Sequence, residues 1–135
     1  MRSSESDHEN DVHQEADFQH KLALIWINRT YGELGPYDAV RYSWKIDLKR
    51  ARNCDYILAV FRGLIVGAYI ADEWLPATKE NFPNFPRDGT SARPERYGFR
   101  GSEAPAEVKK LYCERRVPEK LRRQGAAYPI RYVNV

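Results

Sequence analysis

The body of this chain contains no histidine, because His8, His13 and His20 all lie within the first twenty residues. Ser-His-Asp and Cys-His mechanisms need an imidazole within hydrogen-bond reach of the nucleophile. A histidine in a disordered tail is not held at that distance, so these mechanisms are excluded. The sequence also lacks the GxxxxGK[ST] and GxGxxG patterns that bind nucleotide phosphates. We therefore predict no cofactor, and the absences favour a non-catalytic role.

Cysteine is scarce, and long apolar runs are missing. Cys54 and Cys113 are far apart and have no neighbouring Cys or His, which excludes a local zinc knuckle or CxxC redox pair. We expect two free thiols, with one long-range disulfide as the alternative. The longest nearly apolar run, residues 57–71, is interrupted by Arg62 and two glycines and is too short and polar to cross a bilayer. With no secretory signal at the N-terminus, the predicted location is cytoplasmic.

Charge divides the chain into two parts. Residues 1–20 hold six acidic residues and one base, whereas residues 21–135 hold 21 basic and 13 acidic residues, a net charge of +8. The polar, acidic composition of residues 1–20 is typical of a disordered leader. Residues 21–135 have the size of a single domain with one core. A basic body of this kind favours an anionic partner.

Short runs of β-forming residues dominate the body. The clearest are residues 55–61 and 64–70, which are joined only by Arg62 and Gly63 and therefore predict a hairpin. Further strands are expected over residues 22–28, 96–101 and 129–135. Helical turns are expected over residues 37–53 and an amphipathic helix over residues 104–112, with Val108, Leu111 and Tyr112 inward; a proline-rich loop should occupy residues 76–94.

These elements predict an α+β fold. Strands with two apolar faces need closure or cover, so we expect a small, partly closed antiparallel β-barrel or a strongly bent sheet of about five strands with two or three short helices. The predicted domain covers residues 21–135.

Basic residues are concentrated in residues 109–123, where seven bases stand against two acids. Such a density suits phosphate contacts, which release counterions from a nucleic acid. A solvated basic face that complements the acidic leader is the alternative. The residues expected to contact phosphates are Lys109, Lys110, Arg115, Arg116, Arg122 and Arg123.

Aromatic residues with polar neighbours are the second indication of a nucleic-acid site. Trp44 and Trp74 are the best candidates to stack on a base, although core packing is the alternative for each. Asn28, Arg29, Arg41 and Arg100 complete the predicted site. Asp72 and Glu73 follow a strand and could hold magnesium with a third carboxylate; a solvated strand end is the alternative.

A series of residues along the body also indicates a family. They are Leu24, residues 27–31, Trp44, residues 55–60, Gly63, Tyr69, Trp74, Phe99, Gly101, Ala104, Tyr112, Val117, Pro118 and residues 125–134. With these residues the body resembles a small uncharacterised bacterial domain that occurs alone or after a GIY-YIG nuclease domain. The chain has no GIY-YIG motif, so nuclease activity is not implied. A looser similarity to PUA-like domains implies an aromatic-walled pocket between Asn28, Arg29 and the hairpin.

Three functions remain open. The first is a non-catalytic module that binds DNA or RNA and recognises an unusual base or end in restriction, repair or defence. The second is a small interaction or regulatory domain whose basic face binds an acidic protein. The third is a metal-dependent nuclease built on Asp72 and Glu73. For the first two, the acidic leader would compete with the partner for the basic face.

Overall fold

The computed structural model describes residues 13–28, 31–83, 96–125 and 129–135, with only the backbone of Glu33 and of residues 123–125. Within these ranges it contains one six-stranded sheet and four helices. The strands are β1 (Leu22–Trp26), β2 (Tyr42–Trp44), β3 (Tyr56–Phe61), β4 (Leu64–Pro76), β5 (Tyr97–Glu103) and β6 (Ile130–Val133). The helices are α1 (Tyr31–Arg41), α2 (Leu48–Arg52), α3 (Ala106–Tyr112) and α4 (Glu119–Gly125).

The sheet has the strand order β2-β5-β4-β3-β1-β6 and curls into a half-barrel. The predicted α+β class with a strongly bent sheet is confirmed. One detail differs from a purely antiparallel sheet, because β1 and β3 are parallel, with Leu22 opposite Tyr56 and Trp26 opposite Val60. The chain between them crosses over through α1, β2 and α2, as a parallel connection requires.

Both faces of the sheet are covered, which explains the apolar composition of the central strands. On one face Leu24, Leu58 and Ile65 pack with Val108 and Tyr112 of α3. On the other face the core includes Ile25, Ile57, Tyr69, Trp74 and Phe99, with Ala39 and Val40 of α1 and Ala51 of α2. Alternate residues of β1 and β3 therefore enter different cores, as the twofold repeat of a strand dictates.

The predicted hairpin is confirmed. β3 and β4 are antiparallel, and Phe61 pairs with Leu64 across the two-residue turn. Arg62 has φ 52° and Gly63 has φ 82°, so both central residues are left-handed, as in a type I′ turn. Glycine accepts this conformation without strain, but arginine does not.

Between β1 and β3 the structure departs from the prediction of helical turns alone. α1 is kinked at Gly35, where φ is 79° and ψ is 169°, and it is followed directly by β2, which the sequence analysis missed. Strand β2 has only three residues and pairs with β5 at the sheet edge, so its sequence shows no detectable alternation.

In α3, Val108 and Tyr112 face inward as predicted, but Leu111 is 36% exposed. The prediction that Leu111 faces inward was wrong.

The leader is predicted to be disordered over residues 1–20, yet the segment from Gln14 to His20 contacts the body. Ala16 is buried in the core beside Tyr112, and the Tyr112 hydroxyl lies 2.6 Å from His20 Nδ1. The expectation that no leader histidine is held in place was therefore wrong for His20. Residues 1–12 lie outside the described residues, as do most of the predicted loop (84–95) and Arg29.

Candidate nucleic-acid interface

The predicted site residues do not form one group. Trp74 lies ten residues along β4 from Leu64, a path of roughly 30 Å along the strand at a rise of about 3.3 Å per residue. The sequence analysis groups Trp74 with Asn28 in one site, whereas in the structure Asn28 contacts the turn and Trp74 pairs with Phe99 of β5. The structure places Arg41, Trp44, Trp74 and Arg100 towards one end of β4, and Asn28, Arg115, Arg116 and Arg122 around its other end.

The two tryptophans are engaged in packing. Trp74 is 8% exposed and meets the Phe99 ring edge to face at a centroid distance of 5.0 Å. Trp44 is half-buried, and its indole Nε1 donates to the carbonyl oxygen of Val40 at 2.7 Å. Both side chains therefore pack in the core near the edge of the sheet that β2 and β5 form.

The arginines at this end form a cation–π group with Phe82. The guanidinium carbon of Arg41 lies 4.9 Å from the Tyr37 centroid and 5.7 Å from that of Phe82. Arg100 lies 5.9 Å from the same Phe82 ring. Each arginine also has an acidic neighbour, Asp38 at 2.9 Å from Arg41 and Glu73 at 3.7 Å from Arg100. Their charge is thus partly neutralised within the domain.

At the hairpin end, the exit of β1, the turn and residues 116–117 meet. The amide N–H of Arg62 donates to the side-chain oxygen of Asn28 at 2.9 Å, so the exit of β1 is tied to the turn. On the other side, the amide N–H of Val117 donates to the carbonyl oxygen of Gly63 at 2.8 Å, and Arg116 forms an isolated bridge with Leu64. Residues 28, 62–64 and 116–117 are therefore neighbours across the sheet.

Arg122 lies across this turn. A Cβ atom on Gly63 would stand 2.8 Å from Arg122 Cδ, and Arg122 Nε donates to the carbonyl oxygen of Val117 at 2.8 Å. Its neighbours Arg115 and Arg116 are partly exposed, and Arg62 is exposed. Among the residues whose side chains the structure describes, four arginines from three segments therefore lie at this end of the sheet.

Sequence reasoning missed three residues of this end. Arg62 was assigned only to the turn, and Tyr31 and Phe61 were not singled out as site residues. The rings of Tyr31 and Phe61 are 4.6 Å apart and both are half-buried. A usable signal was present, because arginine is an unusual residue for the first central position of a type I′ turn.

The other basic side chains of residues 109–123 do not gather at one point of the surface that the structure describes. Lys109 pairs with Glu103, which raises its pKa through a side-chain hydrogen bond, while Lys110 is exposed on α3. Arg115 donates to the side-chain oxygen of Gln14 at 3.2 Å. The side chain of Arg123 lies outside the described part of the structure.

No other chemistry is assembled within the described residues. They contain no group of three or more His, Cys, Asp or Glu side chains able to hold a metal ion; Asp72 and Glu73 are exposed, and Glu73 faces Arg100. Cys54 and Cys113 are free, as predicted. Burial, reinforced by Asp55, raises the pKa of the Cys54 thiol to about 11, which disfavours the nucleophilic thiolate at neutral pH.

Among the described helices, none is long and apolar enough to cross a membrane. Comparison of the chain with protein-family models, curated proteins and solved structures gives no match.

Proposed function

We propose that this protein is a non-catalytic nucleic-acid-binding module whose interface lies at the hairpin end of the sheet. The observation that supports it is the meeting of Arg62, Arg115, Arg116 and Arg122 around one turn, in a body of net charge +8. Arginines on a rigid sheet end hold several donors in place, which suits the regularly spaced phosphates of a DNA or RNA backbone.

The setting is part of the proposal. Two free thiols suit the reducing cytoplasm, where cysteines remain unpaired. We place the module in bacterial restriction, repair or defence, where recognition of an unusual base or end is required. We base this proposed role on the resemblance of the sequence to PUA-like and GIY-YIG-associated domains.

The test is fluorescence anisotropy of the full chain with labelled single-stranded and duplex oligonucleotides over a salt series. Arg116→Gln combined with Arg122→Gln removes two predicted phosphate contacts and should reduce the slope of log affinity against log salt by about 2. Lys49→Gln combined with Arg52→Gln removes the same charge from α2, which precedes β3 at the opposite end of that strand.

We expect the control pair to keep most of the wild-type slope. Absence of binding at low salt, or equal losses in the two double variants, would contradict the proposal. Cleavage of the labelled strands only when Mg²⁺ is added would instead favour the metal-dependent nuclease.

A second function is favoured by one specific contact. Residues 14–16 lie beside Arg116, with the Ala16 amide donating to the Arg116 carbonyl oxygen and the Arg116 amide to that of Gln14, both at 2.8 Å. Glu15 forms a parallel bridge with Arg116. The backbone of Arg116 therefore accepts a segment of the acidic leader, so an acidic protein partner that binds there is the alternative. A polyglutamate peptide that binds as tightly as an oligonucleotide of equal charge would favour it.

A further inference from the structure

An aromatic and cationic cluster lies beside the turn. The Arg62 guanidinium carbon stands 5.2 Å from the centroid of the Phe61 ring, and the Phe61 ring is tilted by 41° against Tyr31. Both rings are half-buried and Arg62 is exposed, so the cluster faces solvent on one side. Asn28, also exposed, is tied to it through the Arg62 amide.

Arginine is not among the residue types that favour the first central position of this turn. A type I′ turn is best formed by Asn, Asp or Gly at its first central position, and an arginine at φ 52° is held in a conformation that side chains other than these rarely adopt. Strained residues that persist in a well-packed element are concentrated at functional positions. The strain at Arg62 therefore indicates that its side chain has a role other than forming the turn.

We propose that Phe61, Arg62 and Tyr31 form a stacking platform for an unpaired nucleobase of a single-stranded nucleic acid, a proposal that rests on the function proposed above. Planar guanidinium and aromatic groups both stack on bases. The neighbouring Asn28 amide can supply hydrogen bonds to a base edge. Arg122 and Arg116, on the other side of the turn, would hold the flanking phosphates.

The experiment compares two probes with the full chain: a short oligothymidylate and an abasic strand with the same number of phosphates. A stacked base contributes about 1–3 kcal/mol, so the wild-type protein should bind the oligothymidylate roughly 5- to 150-fold more tightly. Phosphate contacts alone would give equal affinities, because the two backbones carry the same charge.

Two variants remove the platform by different routes. Arg62→Asn should keep the turn folded, because asparagine suits the left-handed conformation, and Phe61→Leu keeps an apolar side chain without the aromatic face. Both should reduce the preference for the base-containing strand towards one. Arg52→Asn, an equal loss of charge on α2, should leave that preference unchanged.

The outcomes separate the two proposals. Equal wild-type affinity for both strands, or an unchanged preference in Arg62→Asn, overturns the platform while leaving the phosphate-binding surface intact. Failure of the wild-type protein to bind either strand at low salt overturns the proposed function itself.

Discussion

Single glycines determine where the backbone can turn and where side chains can approach it. Gly63 takes the second left-handed position of the hairpin turn, with φ 82°. Gly101 has a different reason, since a Cβ there would lie 1.7 Å from the carbonyl oxygen of Ile70. The same residue also binds α1, because the Tyr37 hydroxyl accepts from the Gly101 amide at 3.1 Å and donates to the Gly101 carbonyl oxygen at 3.0 Å. α1 is thereby attached to β5.

Replacement of Gly63 tests the turn. Gly63→Val should lower the free energy of unfolding by about 1–2 kcal/mol, because a β-branched residue is strained at positive φ. Contact with Arg122 adds less, since that flexible side chain can move away. Gly32→Val is the control, for Gly32 has no neighbour within 4 Å of an added Cβ. Urea denaturation of both variants measures the difference, and equal stabilities would contradict the assigned turn.

At the scale of elements, the end of the leader is joined to the basic segment by an isolated β-bridge between Glu15 and Arg116. Residues 14–16 pair with Arg116, which in turn bridges to Leu64 of β4. Ala16 is buried, and Phe18 packs on Tyr112 with their rings 5.7 Å apart. The exposed carboxylates of Glu15 and Asp17 are thereby placed next to the basic segment.

These two acids should weaken binding of a polyanion. In the full chain, Glu15→Gln with Asp17→Asn should raise affinity for a single strand about two- to fivefold at low salt, as expected for exposed charge interactions. The gain should vanish at high salt because exposed charges are screened. Asp72→Asn with Glu80→Gln, an equal change at the far end of β4, is the control. Equal gains in the two pairs would rule out a local effect of the leader.

At the scale of the molecule, buried hydroxyl and thiol groups make stability depend on alkaline pH. Burial, with Glu103 adding to it, raises the pKa of Tyr69 from 10.0 to about 12, and burial also raises the pKa of Tyr112 and Tyr132. The folded protein therefore keeps these protons to higher pH than the unfolded chain. The stabilisation is complete below pH 10 and is lost as the pH rises towards 12.

We expect the free energy of unfolding to fall across this interval. Urea denaturation at a series of pH values from 8 to 12 measures the decline, and Tyr69→Phe should make it shallower because the largest raised tyrosine pKa is removed. A flat profile between pH 10 and 12 would show that these tyrosines ionise as readily in the folded protein as in the unfolded chain.

Local signals were sufficient for part of the fold and insufficient for the candidate site. The hairpin could be predicted because two β-rich runs two residues apart can pair only with each other at low entropic cost. β2 could not, since three residues at an edge show no periodicity. The sequence could not show that Tyr31 and Phe61 lie together beside the hairpin turn while Trp44 and Trp74 lie towards the other end of β4, because that arrangement depends on contacts between distant segments.

By itself, the sequence determined a basic, histidine-free body, free thiols, the hairpin and an α+β class, because these follow from composition and short-range pairing. Only the tertiary structure determined which basic residues lie close together. Leu64 and Arg116 are 52 positions apart, yet their bridge brings the basic segment to the turn and leaves Arg41 and Arg100 at the other end of β4. Such contacts depend on the register of a whole sheet, which is set by packing of both faces and not by any local pattern.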